Sequence, residues 1–341
     1  MAFRKHIIKY LALCILFIIA LFSCQQREFS RTELALGTVC SVTLFDHARD
    51  SVYRDIFFRI HEIENRMSVN IPSSDISRIN AAAGLEPVQV NDDVFKVIER
   101  AVHFAQLSGG AFDPTVGPLV SLWGINTDNP RVPSRKEIDE VLPLINWQDI
   151  ELDPITRSVF LKCPGMALDL GAIAKGYAAD EAAAIVKKSN VKSAIIDLGG
   201  NIIISGEKRN KSLWKVGIQN PINNRGDIIG IVQITGGTVV TSGVYERFFE
   251  YEEKHFHHIF SPAQGYPASN GLLSVTIISN NSMDADALST AVFVLGFEKG
   301  MALIKTLMGV EAVFVFEDQT VRTTPGAKFT LMDKALKIIN E

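Results

Sequence analysis

Cysteine is scarce here: four stand in 341 residues, at positions 14, 24, 40 and 163, and no two of them share a metal-ligand spacing. A disulfide-stapled scaffold and a cysteine-held zinc knuckle are thereby excluded. An excess of basic charge is also missing, with 34 Lys and Arg against 38 Asp and Glu, which leaves nucleic acid without its electrostatic footing. No low-complexity linker and no clear repeat interrupts the chain. What is abundant is apolar surface, 47% of the residues, enough for a large core in one large domain or two intimate ones.

The N-terminus reads as an export signal. Arg4, Lys5 and Lys9 precede an apolar run from Tyr10 to Phe22 that is too short for a comfortable membrane span. Leu21, Phe22, Ser23 and Cys24 then resemble a bacterial lipobox, in which the cysteine is acylated after cleavage. Residues 1–23 are therefore expected to be a lipoprotein signal peptide, leaving 31 basic against 38 acidic residues in the mature chain, a formal −7. The expected location is the cell envelope, with the protein anchored to a membrane through Cys24 and facing the periplasm or cell exterior. Cys40 and Cys163 remain, both in apolar stretches, and are expected to be buried free thiols.

The centre of the chain is Leu168 to Asp180, LDLGAIAKGYAAD. Met166 to Leu170 alternates like a buried strand, Gly171 and Gly176 permit tight backbone, and Ala174, Ala178, Ala182 and Ile185 recur at helical spacing. The first turn of such a helix carries unpaired N–H groups and partial positive charge, and Lys175 adds a full one, which together suit a phosphate. The Lys-Ser/Thr pair of a P-loop is absent, since Tyr177 and Ala178 follow Gly176. An ordinary turn with an exposed lysine is the alternative.

Upstream, Glu33 to Phe45 alternates as a strand, and Val52, Ile56, Ile60, Ile63 and Met67 mark an amphipathic helix over 50–67. Met67 to Asn80 reads as a polar surface loop. A second helix starts after Asn91 and stops at Gly109. GAFDPTVGPLVSLWG, 110–124, has two prolines and three glycines that oppose regular structure, yet it is too apolar for a solvated linker, so it wraps something flat or lies under another element. Ser134 and Glu137 form a capping-box signature. Ser193 to Ser205 reads as strand, glycine break and strand, followed by short antiparallel strands at 214–218, 228–234, 238–241 and 248–259. The closing part reads as a helix, a strand at 313–316 and a final helix, and the fold class is α+β.

In Ser282 to Gly296, Asp286 and Thr290 stand four apart on one helix face and offer two oxygens to a hard cation such as Mg2+. The alternative is an acidic residue favoured by the helix start and a threonine bonded to the preceding turn. His255 and His257 face one side of a strand and His258 the other, which disfavours a shared zinc ion and leaves His258 as a lone acid or base.

Taken together, MSVN with DISRIN, GAFDPTVGPLVSLWG, LDLGAIAKGYAAD, IDLGGN, WKVGIQNP, TSGVYERFF, HHIFSP with GYP, and DADALSTAVFVLG resemble the ApbE family of FAD:protein FMN transferases. The resemblance spans nearly all of residues 24–341 and implies a T-fold-like α+β structure. It implies FAD and Mg2+, and FMN transfer onto a threonine hydroxyl of an exported acceptor protein, such as a flavinylated redox-complex subunit, with release of AMP. It further implies that Asp169 and Lys175 contact FAD, that Leu36, Asn70, Ala111, Phe112, Asp113 and Ile259 line it, that the Ala172 carbonyl, Asp286 and Thr290 hold the metal, and that His258 is the base. Many members carry Tyr where this chain has Asn70 and Met where it has Leu36. An amide cannot stack on a ring as tyrosine can, so a Mg2+-dependent FAD pyrophosphatase giving FMN and AMP, or a non-catalytic FAD-binding lipoprotein, are the alternatives.

Overall fold

The computed structural model describes residues 29–125, 127–223 and 226–339; the expected signal segment and Cys24 lie outside them. The elements in chain order are β1 (Phe29–Ala35), β2 (Thr38–Leu44), α1 (Asp50–Met67), α2 (Asp75–Ala81), β3 (Val88–Gln89), α3 (Asp92–Leu107), α4 (Gly117–Trp123), α5 (Arg135–Val141), β4 (Ile150–Asp153), β5 (Ser158–Leu161), α6 (Ala174–Lys188), β6 (Ala194–Leu198) and β7 (Asn201–Ser205). They continue as β8 (Trp214–Gln219), β9 (Ile228–Ile234), β10 (Gly237–Gly243), β11 (Phe248–Tyr251), β12 (Lys254–His257), β13 (Leu272–Ser279), α7 (Ser282–Leu295), α8 (Phe297–Lys305), β14 (Glu311–Phe316), β15 (Thr320–Thr323), β16 (Phe329–Leu331) and β17 (Lys337–Ile338).

A nine-stranded sheet in the order β1-β2-β6-β7-β10-β13-β14-β15-β17 forms the middle layer. Its pairings are antiparallel apart from β15 with β17. Because side chains alternate across a strand, each strand feeds two cores. Val42, Ile196, Val240, Val275, Ile277 and Phe314 pack with the apolar faces of α1, α3, α6 and α7. Ile204, Val239, Val313, Val315 and Val321 point the other way, onto Trp214, Val216, Ile229 and Val232 of the small β16-β9-β8 sheet. Helices, large sheet and small sheet thus make three layers, an α+β arrangement.

The structure departs from the sequence reading in five places. Glu33 to Phe45 is a hairpin: Ala35 pairs with Thr38 around Leu36 (φ 54°) and Gly37 (φ 66°), a left-handed two-residue turn. Met67 to Asn80 contains α2, capped by the Ser74 side chain on the Ser77 amide. Residues 110–124 end in α4, because Pro118 lies in its first turn, where a missing N–H costs nothing. Met166 to Leu170 alternates in burial but forms no strand, only the isolated bridge Val116 to Ala167, since the Asn80 side chain donates to Leu168 O and accepts from Leu168 N in place of a neighbouring strand. The final helix is also absent: Phe329 and Leu331 instead join β9 as β16, and Leu336 enters the core between the sheets.

Cys40 is buried and Cys163 half-buried, and both are free. Burial pushes the Cys40 thiol up to about 11.

Candidate functional site

The glycine-rich centre of the sequence places α6 against α7. A Cβ on Gly176 would stand 2.2 Å from Ser282 O, so only glycine lets the helices approach this closely. That contact brings Asp286, 3% exposed, under the start of α6. The Gly176 amide donates to Asp286 Oδ2 at 2.9 Å, and Lys175 Nζ lies 3.5 Å from Asp286 Oδ1 while donating to Gly171 O at 2.9 Å. Two oxygens that converge on an ammonium form a cradle for positive charge. Thr290, one turn beyond Asp286, shares a hydrogen bond of 3.3 Å with Ser242 Oγ of β10, which also meets Ser289 Oγ at 2.7 Å. Asp169 Oδ1 accepts the Gly171 amide at 2.7 Å and fixes the turn that carries Ala172.

The segment 111–117 braces this turn from below. Asp169 N donates to Pro114 O at 2.8 Å, and Gly117 N to Ala167 O at 3.2 Å. Phe112 is buried in the main core and Ala111 is half-buried. Asp113 has its oxygens committed: Oδ1 accepts from Thr115 N and Oγ1, Oδ2 from Trp147 N, and burial raises its pKa. Its side chain therefore sets the loop's shape. α4 then carries Trp123 beneath the β11–β12 hairpin, where it packs on Phe256, Phe260 and Tyr266 and donates to Gly265 O.

That hairpin leads to the histidines. His258 Nδ1 is 3.1 Å from Arg247 O; a carbonyl only accepts, so Nδ1 carries the proton and Nε2 keeps its lone pair. Burial, reinforced by the Arg247 charge and with a contribution from Lys175, pulls His258 down to about 3. His257 differs. Its Nε2 donates to Ala268 O and its Nδ1 accepts the Ile259 amide, which commits both nitrogens and buries Ile259 beside it. Arg247 also reaches across to Gly37 O at 3.4 Å, so the turn containing Leu36 abuts the residues that hold His258.

The structure thus joins Lys175 and Asp286 with the turn held by Asp169, with Ala172 inside that turn and Thr290 one turn further along α7, and it brings Leu36, His258 and Ile259 together through the hairpins. Asn70 stands exposed in the turn after α1, its own amide on Ser68 Oγ. Sequence reading gave no role to Asn80, Asp180, Ser242 or Arg247. Asn80 and Asp180 lie inside the singled-out motifs, but their partners are 88 and at least 102 residues away, which no local pattern reveals. Among the described residues no three His, Cys, Asp or Glu side chains cluster as a metal cage. The converging groups are hard oxygens with one carboxylate, a set that suits a Mg2+-like ion sharing its coordination with phosphate and water.

The chain is similar to known proteins over most of its length. The chain is 38% identical over 319 residues to the FAD:protein FMN transferase of Treponema pallidum, covering 89% of this chain and 88% of that one. It is also 38% identical to a protein of the same name from Klebsiella pneumoniae, over 93% of this chain and 98% of that one. The crystal structure of the ApbE protein of Thermotoga maritima superposes with a TM-score of 0.80 at 33% identity, covering 90% and 97% of the two chains. Residues 36–314 match the ApbE family, which takes in both walls of the site, and the chain belongs to that family.

Proposed function

We propose that this protein transfers FMN from FAD to an acceptor protein. The observation that carries the reading is the convergence of Lys175, Asp286 and the Gly171 turn beside a histidine fixed as a neutral acceptor, in a chain 38% identical to FAD:protein FMN transferases. In finer detail, the acceptor group is a threonine hydroxyl of an exported protein, and the products are flavinylated acceptor and AMP. His258 Nε2 takes the hydroxyl proton, the freed oxygen attacks the FMN phosphorus, and the bond from that phosphorus to the bridging oxygen breaks, leaving with AMP. Lys175 holds charge on the pyrophosphate, while Leu36, Ala111, Phe112 and Ile259 exclude water around the flavin. Ala172 O, Asp286 and Thr290 Oγ1 would hold Mg2+, which supplies counter-charge to the pyrophosphate when bound. Catalysis is positioning and electrostatics rather than covalent chemistry by the protein.

The exposed Asn70 favours a second reading, hydrolysis of FAD to FMN and AMP, because it leaves a wall of the ring site without an aromatic face. Incubation with FAD and Mg2+, with and without a threonine-bearing acceptor, separates the readings. AMP formed only with acceptor, together with an acceptor heavier by FMN, supports transfer. AMP formed equally without acceptor supports hydrolysis, and none supports a carrier.

The same reading places the protein in the cell envelope as a lipoprotein tethered through Cys24, supported by the basic, apolar and Leu-Phe-Ser-Cys order of residues 1–24. Mass measurement of the N-terminal peptide from membranes tests this. Residues 1–23 still attached would rule it out.

A further inference from the structure

Helices α6 and α7 are joined by two rungs of carboxylate-to-amide bonds, and their backbones touch where Gly176 abuts Ser282 O. Asp180 of α6 meets Ser282 and Met283 of α7. One turn back along α6 and one turn on along α7, Gly176 meets Asp286. Ala172 stands four residues before Gly176, just before α6 begins, and Thr290 four residues beyond Asp286. The inner rung therefore carries one expected metal ligand, Asp286, and lies along both helices between the outer rung at Asp180 and the positions of the other two, Ala172 and Thr290.

That outer rung is unusually specific. Asp180 Oδ1 accepts the Ser282 amide and Oδ2 the Met283 amide, each at 2.9 Å, so both oxygens grip the first two residues of α7. Ser282 is itself fully buried and held from the sheet, its Oγ donating to Asn201 Oδ1 at 2.5 Å and lying 3.0 Å from Thr238 Oγ1. The ordinary cap of α7 is a different residue, Asn281, whose side chain accepts the Asp284 amide at 2.8 Å. Asn281 thus satisfies the third amide of α7, and Asp180, from a different helix, satisfies the first two. It ties the start of α7 to α6 at a fixed height.

We propose that Asp180 is a positioning residue for the metal site: it sets the sliding register of α7 against α6, and with it the spacing between the Ala172 carbonyl and the oxygens of Asp286 and Thr290. A bidentate grip on two successive amides tolerates little translation, and cation coordination by hard oxygens is sensitive to ligand spacing. The proposal rests on the metal reading above, and its test separates the two.

Mn2+ serves as the probe, titrated into the full chain and followed by electron paramagnetic resonance, with melting temperature measured on the same samples. Asp180→Asn keeps the size but turns an N–H donor toward an amide N–H. It is expected to weaken Mn2+ by at least about tenfold, the scale typical of residues that orient metal ligands, and to speed amide exchange at Ser282 and Met283. Asn281→Ala removes the cap and leaves the register intact; it is expected to lower the melting temperature with Mn2+ affinity unchanged. Asp180→Glu retains both acceptors on a longer arm, folds in case the asparagine variant does not, and is expected to show an intermediate loss of Mn2+. Unchanged Mn2+ affinity in the folded Asp180 variants overturns the proposal, as does an equal loss in Asn281→Ala at equal melting temperature. A wild-type chain that takes up no Mn2+ overturns the metal reading itself and the assignment with it.

Discussion

On the α6–α7 side of the site, the charged groups are gripped by backbone: Asp286 and Asp180 accept amide hydrogens at 2.9 Å, and Gly176 leaves no gap between the helices. On the opposite side the contacts are looser. Arg247 reaches Gly37 at 3.4 Å, Leu36 sits in a left-handed turn that disfavours a branched side chain, and Asn70 is exposed. The tight wall carries the charges that the pyrophosphate would meet, where an error in spacing changes the electrostatics steeply. In the proposed reaction the loose wall would border the flavin and the incoming acceptor, where a large partner needs room to approach.

Breaking the tight wall should have the largest effect. Asp286→Ala removes the one carboxylate of the proposed metal set, strands the Gly176 amide and takes from Lys175 its carboxylate partner, leaving it Gly171 O. Mg2+-dependent AMP release should be lost, while FAD retention, which relies on apolar contacts, should fall far less. If Asp286 only favours the start of its helix, the variant should instead lose about 0.5–2 kcal/mol of stability and keep its turnover. Thermal melting and AMP release on one preparation decide between these outcomes.

Acid tests the hairpin wall at intermediate scale. His257 is pulled down to about 4 by burial and His258 to about 3, from an ordinary 6.5. The unfolded chain therefore binds more protons below pH 6.5, so their stabilising contribution is complete above that pH. It is lost as pH falls toward 4 for His257 and toward 3 for His258. Each histidine can contribute a slope of at most about 1.4 kcal/mol per pH unit in that window. The difference between wild type and His257→Gln isolates one of them, since other groups cancel. Urea midpoints that move in parallel from pH 7 to pH 4 would show that His257 contributes nothing.

The smallest effect should come from the rim. Asn70→Tyr supplies a ring face next to the proposed flavin site, and FAD release should slow by the equivalent of about 0.5–1.5 kcal/mol. An unchanged dissociation rate by stopped flow would place the turn after α1 away from the ligand.

How much of this could be read from the sequence depended on how local the cause was. α1 was legible because Val52, Ile56, Ile60, Ile63 and Met67 repeat at helical spacing and are all buried. The capping box at Ser134 and Glu137 was complete within four residues and is present as expected. Asp169, Lys175 and Asp286 could be singled out from their motifs, but that Asp286 sits against Gly176 could not. α4 was hidden because Gly117 and Pro118 usually signal a break, although Pro118 occupies a helical first turn. The Met166–Leu170 strap imitates a strand since its apolar residues face one core, while its hydrogen bonds go to Asn80 and Pro114. At the C-terminus the apolar residues serve the space between two sheets, and that tertiary demand outweighs helical spacing.

The Asp286 contact spans 110 residues of chain and the Arg247 contact 210. Neither contact can close until chain segments that far apart have been brought together by the fold. A partly folded chain therefore has no partial version of the site. Retention of FAD should accordingly follow global unfolding in a denaturant titration and show no earlier, local transition of its own.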